Sequence, residues 1–298
     1  MSHILPLTAS TRFYGVTPEG EHTQKESLAL LKEAGFDGVD FALEKLPYMF
    51  SDDEELKRYC SDVADYAASI GMEITFGHLP FYGALPIPRK DPSAPGVLHN
   101  NMLFAIKAAG YLGMKRAVIH PIGSYSDDNT PENRERRRLE NIEYIGQYVD
   151  LAEKGGFKLA IENMRSPKEA EGKHFYSAYA EDLAELCDAL GQEICWDFGH
   201  AHTTGVDQHK SLELLGKRLT VTHINDNHGA DDEHLLPYFG TADWESAIAG
   251  LRAAGFRHSL NLECKMFRVP TAAHIDAGRY GVKILEYFTE RMLADANE

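Results

Sequence analysis

Several features are scarce in this 298-residue sequence, and each absence excludes a class of protein. The cysteines form no CxxC pair, so neither a disulfide scaffold nor a thiolate zinc site is predicted, and the thiols are expected to fill the core. No apolar run approaches the roughly 18 residues that a membrane span needs. The N-terminal segment also lacks the charged head and apolar stretch of a signal peptide. We therefore predict a cytoplasmic protein with no membrane partner.

Positive charge is also scarce, with 30 Lys and Arg against 46 Asp and Glu and a formal net charge of −16. Such a field repels phosphate backbones, so a nucleic acid is not an expected partner. The one dense basic run, Arg134 to Glu140, is interleaved with glutamates and is predicted to be a solvated helix face.

What the sequence does contain is a repeated joint in which a helix-like segment ends at a glycine and a short β-branched or apolar run follows. Strict alternation of strand and helix indicates a parallel sheet. Seven such joints after an initial strand near Ile4 to Ser10 predict a single (β/α)8 TIM-barrel domain over residues 1–298. A doubly wound open sheet is the alternative, disfavoured because no GxGxxG follows the first strand. The joint glycines are Gly35, Gly71, Gly113, Gly156, Gly191, Gly216 and Gly255.

Ionisable residues end six consecutive predicted strands, at the face where barrel enzymes have their active sites. They are His78, His120, Glu162, Asp197, His223 and Glu263. Alternation along each strand predicts apolar residues on the same inward side below them. These are Ile74 and Phe76 with His78, Val118 with His120, Ala160 with Glu162, Cys195 with Asp197, and Val221 with His223.

The three carboxylates predict a metal ion. Burying Glu162, Asp197 and Glu263 together is costly unless cations compensate, and Lys265 is the only inward basic candidate on the strands. With the imidazole of His223 they form a mixed hard site that favours Mn²⁺ and is compatible with Mg²⁺, Co²⁺ or Zn²⁺. A lone histidine at a strand end is often a hydrogen-bonded structural residue. For His78 and His120 the sequence therefore leaves two interpretations open, a structural role and a role as a ligand.

Two further segments extend this site. The motif WDFGHAH places His200 three residues after Asp197, near the start of the next helix. The loop after strand seven carries Asp226, Asp232 and His234 back over the barrel mouth, although Asp226 and Asp232, Asp226 above all, are equally typical of turn formers.

The ordered set of motifs resembles the xylose-isomerase-like TIM barrels, which comprise sugar isomerases and epimerases together with endonuclease IV. The motifs are GHLPF, VIHP, AIENM, WDFGHAH, THINDN with DEHLLPYFGTADW, and LNLE. The resemblance implies a single-metal site at Glu162, Asp197, His223 and Glu263, with the two glutamates as acid and base, and a substrate contact at His200. Nine positions also match by type the trinuclear zinc set of endonuclease IV: His78, His120, Glu162, Asp197, His200, His223, Asp232, His234 and Glu263.

The rim loops argue against DNA as a substrate. The loops after strands two and seven are acidic, whereas duplex binding needs Lys and Arg there. The loop after strand three offers Phe81, Tyr82 and several prolines, which suit a lid over a small ligand. Its Arg89 and Lys90 are candidates to meet one phosphate or carboxylate on that ligand.

We therefore predict a divalent-metal-dependent isomerase or epimerase of a sugar or sugar phosphate, which transfers protons through an enediolate stabilised by the metal. Predicted substrate-binding residues are His78, His120, His200, His234 and Lys265, and Asp232 with His234 is a candidate second metal position. The alternatives are an aldose-ketose isomerase, a keto-inositol or keto-acid dehydratase, an endonuclease IV-like zinc phosphodiesterase, and a noncatalytic sugar-binding subunit. A homo-oligomer is compatible with the sequence.

Overall fold

One eight-stranded parallel sheet organises the chain in the computed structural model, which describes residues 3–17, 20–50, 52–87, 90–124, 127–166, 173, 175–266 and 269–294. The strands follow one another in chain order, and the first also pairs with the last. They are β1 (Leu7–Ser10), β2 (Gly38–Ala42), β3 (Glu73–His78), β4 (Arg116–Ile119), β5 (Lys158–Glu162), β6 (Glu193–Asp197), β7 (Leu219–His223) and β8 (Leu260–Leu262).

The sheet closes into a barrel through a short bridge between β7 and β8. The amide of Ile224 donates to Asn261 O at 2.8 Å, and the amide of Glu263 donates to Ile224 O at 3.0 Å. The predicted (β/α)8 barrel is thus confirmed, although its first strand begins at Leu7 rather than near Ile4.

Helices follow each of the eight strands. They are α1 (Gln24–Ala34), α2 (Asp53–Ser69), α3 (Ala94–Tyr111), α4 (Pro131–Lys154), α5 (Ala180–Leu190), α6 (Phe198–Thr204), α7 (Gln208–Leu215), α8 (Trp244–Ala253) and α9 (His274–Leu293). A small hairpin at Val16–Thr17 and Gly20–Glu21 lies between β1 and α1. Among the described residues, we find no helix with the length and apolar character that crossing a bilayer requires.

The glycines at the predicted joints share one backbone property, although Gly216, with a ψ of −129°, lies outside the left-handed helical region expected at a helix end. All seven have positive φ angles, from 52° at Gly216 to 112° at Gly35. At Gly35 the amide donates to the carbonyls of Leu31 and Lys32, which ends α1 in a conformation that strains any residue with a Cβ.

The apolar interior forms two layers. A large layer lies between the strands and the helices, and a small separate cluster fills the barrel itself. The inner cluster consists of Phe76, Val118, Ala160, Cys195 and Val221, as the alternation predicted. All four cysteines are buried free thiols, which confirms their assignment to the core.

The prediction for Ile74 was wrong. Val39 pairs with Ile74 but Asp40 pairs with Phe76, so the register of β2 and β3 shifts and leaves Thr75 as an extra residue. A bulge interrupts alternation, and Ile74 packs against the outer layer instead of lying below His78.

Candidate metal centre and active site

Four strand ends bring the predicted metal ligands together at the barrel mouth. Glu162, Asp197, His223 and Glu263 are buried, and each offers a ligand atom within 4.8 Å of the others. Divalent ions bind oxygen and nitrogen at roughly 2.0–2.2 Å, so ligands on opposite sides of such an ion lie about 4–4.5 Å apart. The donor set therefore fits one divalent cation in both chemistry and spacing.

Glu162 is the centre of this cluster, because both of its carboxylate oxygens face imidazoles. Its Oε1 lies 3.2 Å from Nδ1 of His223, and its Oε2 lies 3.0 Å from Nε2 of His120 and 3.3 Å from Nε2 of His78. The two Nε2 atoms of His78 and His120 are 3.0 Å apart. Both histidines thus belong to the polar site, and with Glu162 they form a second group with metal-ligand spacing.

The other predicted residues continue the cluster along one side. Nε2 of His200 lies 3.6 Å and Nε2 of His234 lies 3.0 Å from Oδ2 of Asp232. Nδ1 of His234 lies 2.7 Å from the carbonyl oxygen of Glu263. Within the described ranges, neither Asp232 nor His234 belongs to a group of three or more donors with mutual spacing under 4.8 Å. Their role as a second metal position stays a prediction.

Burial and neighbouring charges shift the pKa values of the three carboxyls in different directions. Burial opposes ionisation of Glu162, but His223 and His120 outweigh it and hold the pKa of this carboxyl well below its usual range. For Glu263, His223 and His234 likewise overcome burial and lower the pKa to about 2. Burial dominates at Asp197, where His200 opposes it only in part, and raises the pKa to about 7. The two glutamates are therefore ionised at neutral pH.

The WDFGHAH motif builds the junction between β6 and α6. Oδ1 of Asp197 caps α6 by accepting from the amide of His200 at 2.6 Å, and its Oδ2 accepts from Nδ2 of Asn225 at 2.8 Å. Gly199 is required in this motif because a Cβ there would overlap the side chain of Asn225. Close packing of α6 against the segment after β7 therefore fixes Asp197 and His200 together.

The cation at the mouth is not the one the sequence suggested. Lys265 follows β8, but its side chain is exposed rather than turned inward. Arg12, just after β1, contacts Oε1 of the buried Glu44 at 2.7 Å and lies over the ring of Phe81. The role of Lys265 in substrate binding stays a prediction.

Asp40 is a site residue that the sequence reasoning missed. It lies within β2, is fully buried, and places Oδ2 3.8 Å from Nε2 of His223, on the side of the ring away from Glu162. Burial raises the pKa of the Asp40 carboxyl to about 6, although His223 and His78 oppose this. The sequence does carry a signal for this residue. Apolar Val39 and Phe41 flank Asp40 and pack in the outer layer, so alternation along β2 places Asp40 on the opposite face, toward the barrel interior.

Asp226 holds the loop that carries Asp232 and His234. Its carboxylate is buried and accepts from the amides of Asn227, Tyr238 and Ala242 and from Nε1 of Trp244, at 2.8–3.1 Å. The interpretation of Asp226 as a turn former therefore describes its contacts.

Replacing Asp226 by alanine should lower the free energy of unfolding by roughly 2–4 kcal/mol, because several buried donors lose their acceptor. Denaturant unfolding measures this. Asp243→Ala is the matched control, since Asp243 only caps α8 by accepting from the amide of Ser246, and its loss should cost about 1 kcal/mol. Equal losses in the two variants would contradict the role given to Asp226.

A cavity of about 350 Å³ opens beside the cluster. Phe81 and Tyr82, which the sequence suggests as a lid, line it together with His120, Pro121, Ile122, Tyr144, Met164, Arg165, Phe175, His200 and Asp232. Their role as a lid stays a prediction. Lys90 is exposed, and Arg89 lies outside the described residues.

Comparisons with known proteins agree with this architecture. The chain is 24% identical over 136 residues to the inosose isomerase of Bacillus licheniformis. This alignment covers 44% of this chain and 48% of that protein. The alignments to the curated relatives span only 34%, 55% and 48% of those proteins.

Among solved structures, a D-tagatose 3-epimerase-like protein superposes with a TM-score of 0.71 at 20% identity, covering 97% of this chain and 98% of that chain. A D-psicose 3-epimerase determined in the presence of D-fructose superposes with a TM-score of 0.71 at 13% identity, covering 95% of this chain and 99% of that chain. The family model described as xylose isomerase-like TIM barrel matches residues 28–287. The chain therefore belongs to the xylose isomerase-like TIM barrel family.

Proposed function

We propose that this protein is a metal-dependent isomerase or epimerase of a small sugar, of the ketose 3-epimerase type. One observation carries the proposal: two glutamates from separate strands face the same imidazole at a mouth that opens to a sugar-sized cavity. Oε1 of Glu162 lies 3.2 Å and Oε2 of Glu263 lies 3.4 Å from Nδ1 of His223. The proposal is also supported by the sugar epimerases among the similar folds and by the inosose isomerase among the relatives.

The metal would be held by Glu162, Asp197, His223 and Glu263, and when bound it supplies charge that polarises a carbonyl and acidifies the neighbouring C–H. We favour Mn²⁺ for this mixed oxygen and nitrogen set. One glutamate removes the proton beside the carbonyl to give an enediolate. The other glutamate first takes up a proton from solvent and then donates it to the opposite face of the same carbon, while the first releases its proton to solvent. Inversion at that carbon results. We assign His78, His120, His200 and His234, which lie around the cavity or the cluster, to binding and orienting hydroxyl groups.

The experiment is a substrate panel with product identification. Manganese-loaded protein is incubated with ketoses and keto-inositols, and the products are identified by NMR. A C3 epimer is the expected product. An aldose would indicate aldose-ketose isomerisation, and a product lacking water would indicate the dehydratase alternative. The absence of any conversion would favour a noncatalytic sugar-binding subunit.

A second candidate is an endonuclease IV-like zinc phosphodiesterase, because the nine type-matched residues do converge at one mouth and His78, His120 and Glu162 form a group of their own. The net charge of −16 opposes it. We expect no strand scission when the metal-loaded protein is incubated at low salt with a duplex containing a tetrahydrofuran abasic analogue. Efficient scission at that site would overturn the small-substrate proposal.

A further inference from the structure

Arg165 stands apart from the other arginines in its contacts. Among the described residues, only Arg58 and Arg165 have side chains with neither an ion pair nor a hydrogen bond, and Arg58 is exposed on α2. Arg165 is instead half-buried and lines the cavity beside the metal cluster. A guanidinium that is partly removed from water without a partner loses hydration that nothing in the protein replaces.

The lack of a partner is unusual in so acidic a chain. Nine of the described arginines pair with carboxylates, among them Arg116 with Glu193 and Arg218 with Asp188. The acidic residue that lines the same cavity, Asp232, directs its Oδ2 to His234 at 3.0 Å. Arg165 is also the one Lys or Arg among the described residues that line this cavity.

The backbone around Arg165 is anchored on both sides. The amide of Met164 donates to Ser177 O at 3.2 Å, and the amide of Ser166 donates to Oγ1 of Thr204 at 2.9 Å. Asn163 exchanges two hydrogen bonds with the backbone of Asp197. The guanidinium therefore extends from a fixed segment, three residues after the proposed catalytic Glu162, and its position is set before a ligand arrives.

We propose that Arg165 is a specificity-determining residue that binds an anionic group on the substrate, a terminal carboxylate or a phosphate. This inference rests on the proposed function and narrows its substrate class to acidic or phosphorylated keto sugars. A planar guanidinium matches either group with two parallel hydrogen bonds, and in a half-buried cavity this contact is stronger than on the surface. The same charge also selects against neutral sugars, which would leave it unpaired.

The test compares three ketoses that differ at one carbon: D-fructose, D-fructuronate and D-fructose 6-phosphate. Calorimetry on the manganese-loaded full chain measures their binding, with malonate and inorganic phosphate as sugar-free anions. We expect one or both anionic ketoses to bind on the order of 10 to 100 times more tightly than fructose. Preference between D-fructuronate and D-fructose 6-phosphate separates the carboxylate source from the phosphate source. Equal or weaker binding of both anionic ketoses, or no saturable anion binding at all, would overturn the proposal.

Variants locate the effect. Arg165→Gln should remove the preference for the anionic ketoses, and Arg165→Lys should restore part of it. Arg58→Gln makes the same change in charge at an exposed position and should leave the preference intact. The thermal midpoint of Arg165→Gln should stay near that of the wild type, because no partner in the protein is lost. A preference that survives in Arg165→Gln, or is lost equally in Arg58→Gln, contradicts the assignment.

Measuring both binding and turnover distinguishes failure of the Arg165 assignment from failure of the isomerase proposal on which it rests. If anions bind through Arg165 but no ketose is converted, the isomerase proposal fails while the assignment of Arg165 stands. If ketoses are converted and Arg165→Gln turns over the anionic ketoses with unchanged KM, the isomerase proposal stands and the assignment of Arg165 fails.

Discussion

Glu162→Gln and Glu263→Gln should each reduce turnover of the metal-loaded enzyme by roughly 10²- to 10⁴-fold, the range expected when a general acid or base is removed. Glutamine keeps the size of the side chain and its ability to contact His223, but it cannot accept the substrate proton. The fold should persist, and circular dichroism and the thermal midpoint check this. Rates are measured at saturating Mn²⁺, with bound metal determined for each variant.

Two controls separate loss of the acid or base from loss of the metal. Asp197→Asn keeps both glutamates and removes one ligand, so its defect should be relieved in part by excess metal. Glu233→Gln makes the same chemical change on the loop after β7, where Glu233 only accepts from His228, and should be near normal. Near-normal turnover in both Glu162→Gln and Glu263→Gln would exclude the two-glutamate mechanism whatever the product.

Removing the metal should abolish activity and lower stability. The carboxylates of Glu162, Asp197 and Glu263 lie beside five imidazoles at this mouth, and a divalent ion would compensate the negative charge of the three carboxylates. Protein purified without chelator should carry about one divalent ion per chain by elemental analysis. Restoring the ion at 100 times its dissociation constant should stabilise the fold by about 2.7 kcal/mol, a rise of several degrees in thermal midpoint.

The stoichiometry discriminates between the two candidate functions. Three zinc ions per chain would favour the phosphodiesterase, because the two additional ions would occupy positions at His78, His120, Asp232 and His234. No bound metal, together with no thermal stabilisation by Mn²⁺, Co²⁺, Mg²⁺ or Zn²⁺, would contradict the assignment of Glu162, Asp197, His223 and Glu263 as ligands.

The barrel and the ring of strand ends were predictable because both follow from short-range rules. Glycine at a helix end and alternation along a strand are local, and they predicted the inner cluster at Phe76, Val118, Ala160, Cys195 and Val221 correctly. The bulge at Thr75 is set by pairing with β2, a contact distant in sequence, so the pattern of β3 alone gave the wrong side for Ile74.

The rest of the mouth depends on contacts between loops. Arg12 and Arg165 follow strands in segments with no periodic pattern, and only the folded chain distinguishes the paired guanidinium from the unpaired one. His234 has a φ of 53°, a backbone conformation that the hydrogen bonds of Asp226 help to impose on the loop. Alternation predicts an inward Lys265, but β8 ends at Leu262 and the alternation ends with it.

Solvent exchange at the substrate carbon tests the central claim most directly. Manganese-loaded wild-type protein is incubated in D₂O with whichever ketose of the panel it converts, and the product is examined by NMR. If Glu162 and Glu263 remove and return the proton beside the carbonyl, deuterium appears at that carbon in the product, and either glutamine variant suppresses its incorporation. Product that forms at the normal rate without deuterium would contradict the account, because it requires a hydride shift or a transfer shielded from solvent.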